Sequence, residues 1–271
     1  MTPSFFDDYL ARWNLVPDGA PIQTHSSRLL PVRRDGMPAI IKAAVEAEEQ
    51  RGGILMEWYA GDGAARVYER HGHVLLLERA MGARSLAHMA RHGEDDEASR
   101  VICAVAGRLH ASRGGMPDGL IPLEDWFRDL WPGAGRYGGV IEKSAGVARN
   151  LLDAPQDIVP LHGDLHHENV LDFDERGWLA IDPKRLVGER GFDFANIFCN
   201  PDLKIAAAPG RLARQSCVVA QAAGLDRTRL LQWILAYAGL SAVWIMDDPR
   251  PADKPDIALA VAESAAAELG I

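Results

Sequence analysis

Leu161-His162-Gly163-Asp164-Leu165-His166-His167-Glu168-Asn169 is the stretch on which the reading of this chain turns. It contains His-x-Asp with an Asn five positions after the Asp, the spacing of a loop that carries out phosphoryl transfer. The chemistry needs both residues at that separation. Asp164 would orient an acceptor hydroxyl and take its proton, while the side-chain oxygen of Asn169 would bind a magnesium ion from the other side of the loop. So short a pattern arises by accident in roughly a few per cent of chains of this length, so the flanking sequence has to decide.

Downstream, Ile181-Asp182-Pro183 ends a short apolar strand with a second carboxylate. Val170-Leu171-Asp172 and Trp178-Leu179-Ala180-Ile181 read as a hairpin around Asp174-Glu175-Arg176-Gly177, which would bring Asn169 and Asp182 together as an oxygen pair suited to magnesium. Upstream, Ala39-Ile40-Ile41-Lys42 has the form of a strand whose lysine holds nucleotide phosphates. Such a lysine needs an acidic partner from the next helix, for which Glu49 is the first candidate and Glu46 the second. Ser26 and Ser27 occupy the place of a phosphate-covering turn, although no Gly-x-Gly-x-x-Gly is present; an ordinary polar turn is the competing reading.

The first part of the chain therefore reads as strands: a pair between Ile22 and Lys42 around Arg34-Asp35-Gly36, then Ala64 to Tyr68 and His73 to Leu77 around Glu69-Arg70-His71-Gly72. A helix is expected over Val45 to Trp58. Glu78-Arg79-Ala80-Met81-Gly82 is the expected hinge, after which helical periodicity takes over: Leu86 to Arg91, Glu97 to Ser112, Asp125 to Trp131 and Ile141 to Leu152. Pro132-Gly133-Ala134-Gly135 reads as a helix breaker, and Phe192 to Ile271 as mostly helical. Asp193 is read first as a brace for the catalytic loop, and the tryptophans, Trp126, Trp233 and Trp244 among them, as core or pocket wall.

The 271 residues are 48% hydrophobic and 25% charged, with a formal net charge of −9. That balance disfavours a nucleic-acid backbone and suits a cationic partner. Cys103, Cys199 and Cys217 form no Cys-x-x-Cys pair, so neither a disulfide framework nor a thiolate zinc site is indicated. The start lacks the basic and apolar regions of a signal peptide, and no segment reads as a membrane span, so a cytoplasmic location is expected. His162, His166, His167 and Glu168 invite a transition-metal reading, that of a metal-dependent hydrolase, but their spacing matches no such site and leaves Lys42 and Asp182 unexplained.

The motif 161–169, together with Gly177-Trp178-Leu179-Ala180-Ile181-Asp182-Pro183-Lys184 and Leu186-Val187-Gly188-Glu189, resembles the aminoglycoside phosphotransferases, and within them the streptomycin 6-kinase and hydroxyurea phosphotransferase branch. Weaker similarity includes Leu120-Ile121-Pro122-Leu123 and residues 236–242. The resemblance implies an α+β, protein-kinase-like two-lobed fold: a small antiparallel-sheet lobe over 1–79 that binds nucleotide, and a larger, mostly helical lobe over 80–271 for catalysis and substrate. It implies ATP-dependent phosphorylation of streptomycin at its 6-hydroxyl, conferring antibiotic resistance. Asp164 would be the base, Asn169 and Asp182 the Mg2+ ligands, and Lys42 the phosphate lysine. The backbone from Glu78 to Ala80 would hold adenine. Because streptomycin carries guanidinium groups, acidic contacts are required; Glu189, Asp193, Asp247 and Asp248 are the candidates. A kinase of another small hydroxyl compound and a non-catalytic kinase-like binder are the alternatives.

Overall fold

The computed structural model describes residues 5–24, 26–45, 53–248 and 255–271. The chain begins with α1 (Asp7–Arg12), then β1 (Val16–Pro17), β2 (Ile22–Gln23), β3 (Ser27–Arg34), β4 (Met37–Ala44), α2 (Gly53–Tyr59), β5 (Val67–His71) and β6 (Val74–Glu78). The strands form an antiparallel sheet in the order β1-β3-β4-β6-β5, with β2 also paired to β3. The β3–β4 hairpin turns at Asp35-Gly36, both at positive φ (49° and 81°), which suits the tight turn that Asp-Gly signals. Inward residues Leu30, Val32, Ile41, Val74 and Leu76 pack against Phe6 and Leu15. The helix expected from Val45 starts, within the described residues, at Gly53; Glu46 and Glu49 lie outside them.

Residues 79–85 have no regular structure and lead into α3 (Leu86–Arg91) and α4 (Asp95–Leu109). Then follow β7 (Ile121–Pro122), α5 (Leu123–Trp126), α6 (Leu130–Tyr137), α7 (Gly139–Asp153), β8 (Ile158–Leu161), β9 (Val170–Asp172), β10 (Trp178–Ala180) and β11 (Leu186–Glu189). A 3₁₀ segment, Arg190–Cys199, precedes α8 (Leu203–Ala206), α9 (Arg211–Ala223), α10 (Arg227–Asp247) and α11 (Pro255–Leu269). The β9–β10 hairpin is antiparallel, and β7, β11 and β8 form a second small sheet that the sequence pattern did not reveal.

Two expectations are corrected. Residues 132–135 do not break the chain but lie inside α6. Pro132 falls in its first turn, where a missing N–H costs nothing, and Gly133 lets α10 approach so closely that a Cβ there would meet Val243 at 2.5 Å. Further on, α10 is long and apolar enough by composition to cross a bilayer, yet it is the central core helix, packed on α7, α11 and the 3₁₀ segment. Its buried residues include Leu230, Trp233, Ile234, Leu235 and Leu240, each large side chain contributing about 1.5–3 kcal/mol by leaving water.

The two lobes are tied at specific points. Ala65 N–H donates to Ala180 O at 3.0 Å and Ala180 N–H to Gly63 O at 2.9 Å, which fixes β10 against the base of the sheet lobe. Gly82 N–H donates to Asp172 O at 3.0 Å, and a Cβ on Gly82 would collide with the Asp172 carboxyl. Arg84 clamps that carboxylate with two hydrogen bonds of 2.8 Å, which holds its pKa below the ordinary range.

Candidate active site

The catalytic loop is built on a buried carboxylate. Asp193 accepts from His162 N–H at 2.9 Å, from Gly163 N–H at 2.6 Å and pairs with His110 Nε2 at 2.8 Å. Burial works to raise its pKa, but these partners outweigh it and hold the carboxyl below the ordinary range. His162 is enclosed too: Asp164 N–H donates to its Nδ1 at 3.2 Å, so its protonated Nε2 donates to Ile181 O at 2.7 Å. Burial lowers its pKa against the opposing pull of Asp193, and the ring is a neutral strut between the loop and β10. Gly163 has φ of 80°, and a Cβ would meet Leu186 at 2.8 Å, so the loop needs glycine here.

This frame presents Asp164 at the surface of the cleft. Its Oδ1 accepts from Asn196 Nδ2 at 2.9 Å, while the Lys184 ammonium stands 3.7 Å from Oδ2. Asn169 donates its Nδ2 to Asp164 O at 2.8 Å, which leaves its amide oxygen as the atom offered to a cation. Ile181 N–H donates to Asn169 O at 2.9 Å and so registers Asp182, one residue on, beside Asn169. Asp182 itself sits at φ of 63°, a conformation rare for a side-chain-bearing residue and concentrated at functional sites. Lys42 reaches across from β4 to Asp182 Oδ1 at 2.5 Å. An amide oxygen beside a carboxylate is a hard donor pair that fits magnesium.

A cavity of about 210 Å³ runs from this ion pair to the connection between the lobes, bounded by Leu29, Leu77, Ala80 and Phe173 with Lys42 and Asp182 at its polar end. Its largely apolar walls suit a flat aromatic base. The Glu78 N–H is spent on Arg66 O, and its carboxylate on Arg176, whereas the main-chain groups of Ala80 hydrogen-bond to no partner among the described residues. Ser26 lies at the turn before β3 and Ser27 is the first residue of that strand; Ser27 N–H is spent on Thr24 Oγ1 at 3.0 Å and Ser26 O accepts from Val45 N–H at 2.7 Å. The phosphate-covering role expected of them therefore loses that donor.

The sequence profile of the family described as aminoglycoside/hydroxyurea antibiotic resistance kinase matches residues 12–249. The chain belongs to this family. Streptomycin 3''-kinase of Klebsiella pneumoniae is 50% identical to this kinase over 244 residues, covering 88% of this chain and 91% of the relative. Streptomycin 6-kinase of Streptomyces griseus is 31% identical, covering 94% and 86%. Among solved structures, a thermostable mutant of aminoglycoside phosphotransferase APH(4)-Ia, in ternary complex with ADP and hygromycin B, superposes with a TM-score of 0.67 at 13% identity, over 99% of this chain and 98% of that one. The expected protein-kinase-like architecture is thus the one found.

Two of the acidic candidates of the kinase, Glu189 and Asp193, are corrected by their surroundings. Glu189 is buried, and Arg229, Trp233 and Gln156 N–H take up both its oxygens, Arg229 at 2.5 and 2.7 Å. Asp193 is buried under the loop as described. Asp247 is engaged by Arg136 and by Tyr137 Oη at 2.6 Å. Asp248 follows α10 as its C-terminal cap. Glu189 and Asp193 have no carboxylate oxygen to spare for a ligand, whereas both contacts to Asp247 fall on its Oδ1.

A different polar surface adjoins the loop, in which Asp125 and Asp129 face Arg128 and Lys184. A cavity of about 380 Å³ is lined by Asp125, Trp126, Asp129, Trp244 and Lys184. Trp126 and Trp244 meet edge to face at 5.2 Å, and the Trp244 indole N–H donates to Asp129 Oδ2 at 3.0 Å. Lys184 lines this cavity and stands 3.7 Å from Asp164 Oδ2, so one side chain borders both. Sequence reasoning missed Asp125 and Asp129 because nothing in their spacing marks them; only the packing of α5 near the end of α10 brings them to the loop.

The histidine-rich segment does not gather a metal site. His162 has both ring nitrogens engaged, His166 accepts Glu168 N–H on Nδ1 at 3.2 Å, and His167 is buried elsewhere beside Asp95 and Arg211. Among the described residues no group of three or more His, Cys, Asp or Glu side chains converges as a metal-binding set.

Proposed function

We propose that this kinase transfers the γ-phosphoryl group of ATP to a hydroxyl of streptomycin, at the 3''-position. The observation that supports the substrate class is that Lys184 borders both Asp164 and a cavity whose Asp125, Asp129 and two indole rings suit a cationic, partly apolar ligand that displaces Arg128. The 50% identity to a streptomycin 3''-kinase favours that hydroxyl. The 6-hydroxyl expected from the motif is the second reading, supported by the 31% identity to a streptomycin 6-kinase.

In this reading Ala80 and the apolar cavity hold the adenine, and Lys42 engages the phosphates. Asp164 accepts the proton of the acceptor hydroxyl as the new O–P bond forms and the bond from the γ-phosphorus to the bridging oxygen breaks, releasing ADP. Asn169 and Asp182 would hold Mg2+, which when bound offsets phosphate charge. Lys184 draws the acceptor cavity and Asp164 into register and contributes positive charge where the transferred group passes.

The test is nucleotide turnover by the purified chain with streptomycin, other aminoglycosides and hydroxyurea, with NMR assignment of the phosphorylated position. Turnover with streptomycin and a 3''-phosphate is expected. A 6-phosphate would transfer the assignment to the second reading, and turnover with another compound but none with streptomycin would sink both.

A further inference from the structure

The two carboxylate oxygens of Asp164 are held differently. Oδ1 accepts from Asn196 Nδ2 at 2.9 Å and has His166 Nε2 at 3.9 Å; Oδ2 accepts no hydrogen bond among the described residues, the nearest cation being Lys184 at 3.7 Å. An amide helps a carboxylate only if its NH2 faces it, since the opposite flip would set oxygen against oxygen. Asn200 decides the flip. Its Nδ2 donates to Asn196 Oδ1 at 2.9 Å and to Asn196 O at 3.0 Å, so the side-chain oxygen of Asn196 is already used and its N–H face is left for Asp164.

The platform under this relay is rigid. Asn196 is 6% exposed, and the segment carrying it is tied at Phe198 O by Arg211 Nη1 at 3.2 Å. Arg211 is in turn locked to buried Asp95 by two hydrogen bonds of 2.8 and 3.0 Å.

We infer that Asn196, its amide oriented by Asn200, is a positioning residue that occupies Oδ1 of Asp164 and so reserves Oδ2 as the atom that takes the acceptor proton. The inference rests on Asp164 being the base. With Oδ1 occupied, the carboxylate cannot rotate about its Cβ–Cγ bond without losing a hydrogen bond, and Oδ2 stays turned toward Lys184 and the acceptor cavity. Placement of a reacting atom at this level carries large rate effects without changing how tightly substrates bind.

The experiment is a double-mutant cycle on the full chain with Asn196→Ala, Asn200→Ala and the pair, read as kcat and KM for nucleotide and acceptor, with Asp164→Asn and the near-isosteric Asn196→Asp alongside. Asn196→Ala should lower kcat about 10- to 100-fold with both KM values within about threefold, and Asn200→Ala about 3- to 10-fold. The pair should be no slower than Asn196→Ala alone, because the second amide acts only through the first. Asn196→Asp should be slower still than Asn196→Ala, because it faces Asp164 with a like charge. Wild-type kcat in Asn196→Ala, multiplicative losses in the pair, or losses of kcat that track rising KM and falling melting temperature would overturn the relay. Inactivity of Asp164→Asn beside a fully active Asn196→Ala removes the relay alone; full activity of Asp164→Asn removes the base assignment beneath it.

Discussion

Lys42 and Asp182 come from opposite lobes, and their ammonium and carboxylate meet at 2.5 Å across the mouth of the interlobe cavity. Asp182 keeps this position in a left-handed backbone conformation, held by Ile181 on one side and by Lys184 N–H bonding to His162 O at 2.6 Å on the other. The pair places one cation and one anion where nucleotide phosphates and their counter-ion would meet. Lys42→Met should therefore raise KM for ATP by about tenfold or more and lower kcat, since a hydrogen-bonded charge is worth roughly 1.5–3 kcal/mol. Wild-type ADP affinity by calorimetry together with unchanged kcat would rule out the phosphate role.

The pieces legible in the sequence were those whose partners lie close along the chain. His162 to Asn169 and Asp182 are separated only by one hairpin, and Lys42 is marked by the apolar run Ala39-Ile40-Ile41 before it in β4, so strand patterning and turn residues were enough to bring them forward as candidates. Asp125 and Asp129 were illegible because their meeting with Trp244 depends on the packing of α10 across the helical lobe. Glu189 misled for the opposite reason: its neighbours in sequence sit near the loop, yet its side chain turns into a pocket filled by Arg229 and Trp233. The small sheet β7-β11-β8 escaped because strands of two to four residues carry no periodicity, and α6 because a glycine-rich run packs well when the facing helix supplies Val243.

Asp129 separates the acceptor reading from a nucleotide effect. Its carboxylate takes the Trp244 indole on Oδ2, stands 3.7 Å from the exposed Arg128 guanidinium on Oδ1 and is about half exposed, so a cationic ligand can reach it by displacing Arg128. Asp129→Asn should raise KM for streptomycin about tenfold with KM for ATP unchanged. Trp244→Phe frees the anchored oxygen and should give a smaller rise in the same constant. An Asp129→Asn enzyme with unaltered acceptor KM would remove this cavity from substrate binding.

Asp193 should matter to both fold and rate. It satisfies two loop N–H groups and His110 from a fully buried position, and removing one partner of such a set costs about 3–5 kcal/mol. Asp193→Ala should lower the melting temperature by several degrees and abolish detectable turnover at any substrate concentration. Asp193→Asn, which retains one acceptor, should recover part of the stability. Equal melting temperatures for Asp193→Ala and wild type would show that the loop does not depend on this brace.

His167 gives the stability a pH dependence of predictable sign. It is buried, neither ring nitrogen has a hydrogen-bond partner among the described residues, and burial together with the Arg211 charge pushes its pKa down to about 3. The unfolded chain, with an ordinary histidine near 6.5, takes up a proton through the window from about pH 6.5 down to 3 while the folded chain does not, so stability rises with pH across it. At pH 5 the loss relative to pH 7.5 from this residue is about 2 kcal/mol, at 1.36 kcal/mol per pKa unit. His162, whose pKa is also lowered by burial, acts in the same direction. Denaturant unfolding at pH 7.5, 6 and 5 should show this fall in the wild type and a shallower one in His167→Gln, which cannot titrate. Parallel pH profiles for the two proteins would mean that His167 is protonated in the fold, paired with Asp95 instead of held neutral beside Arg211.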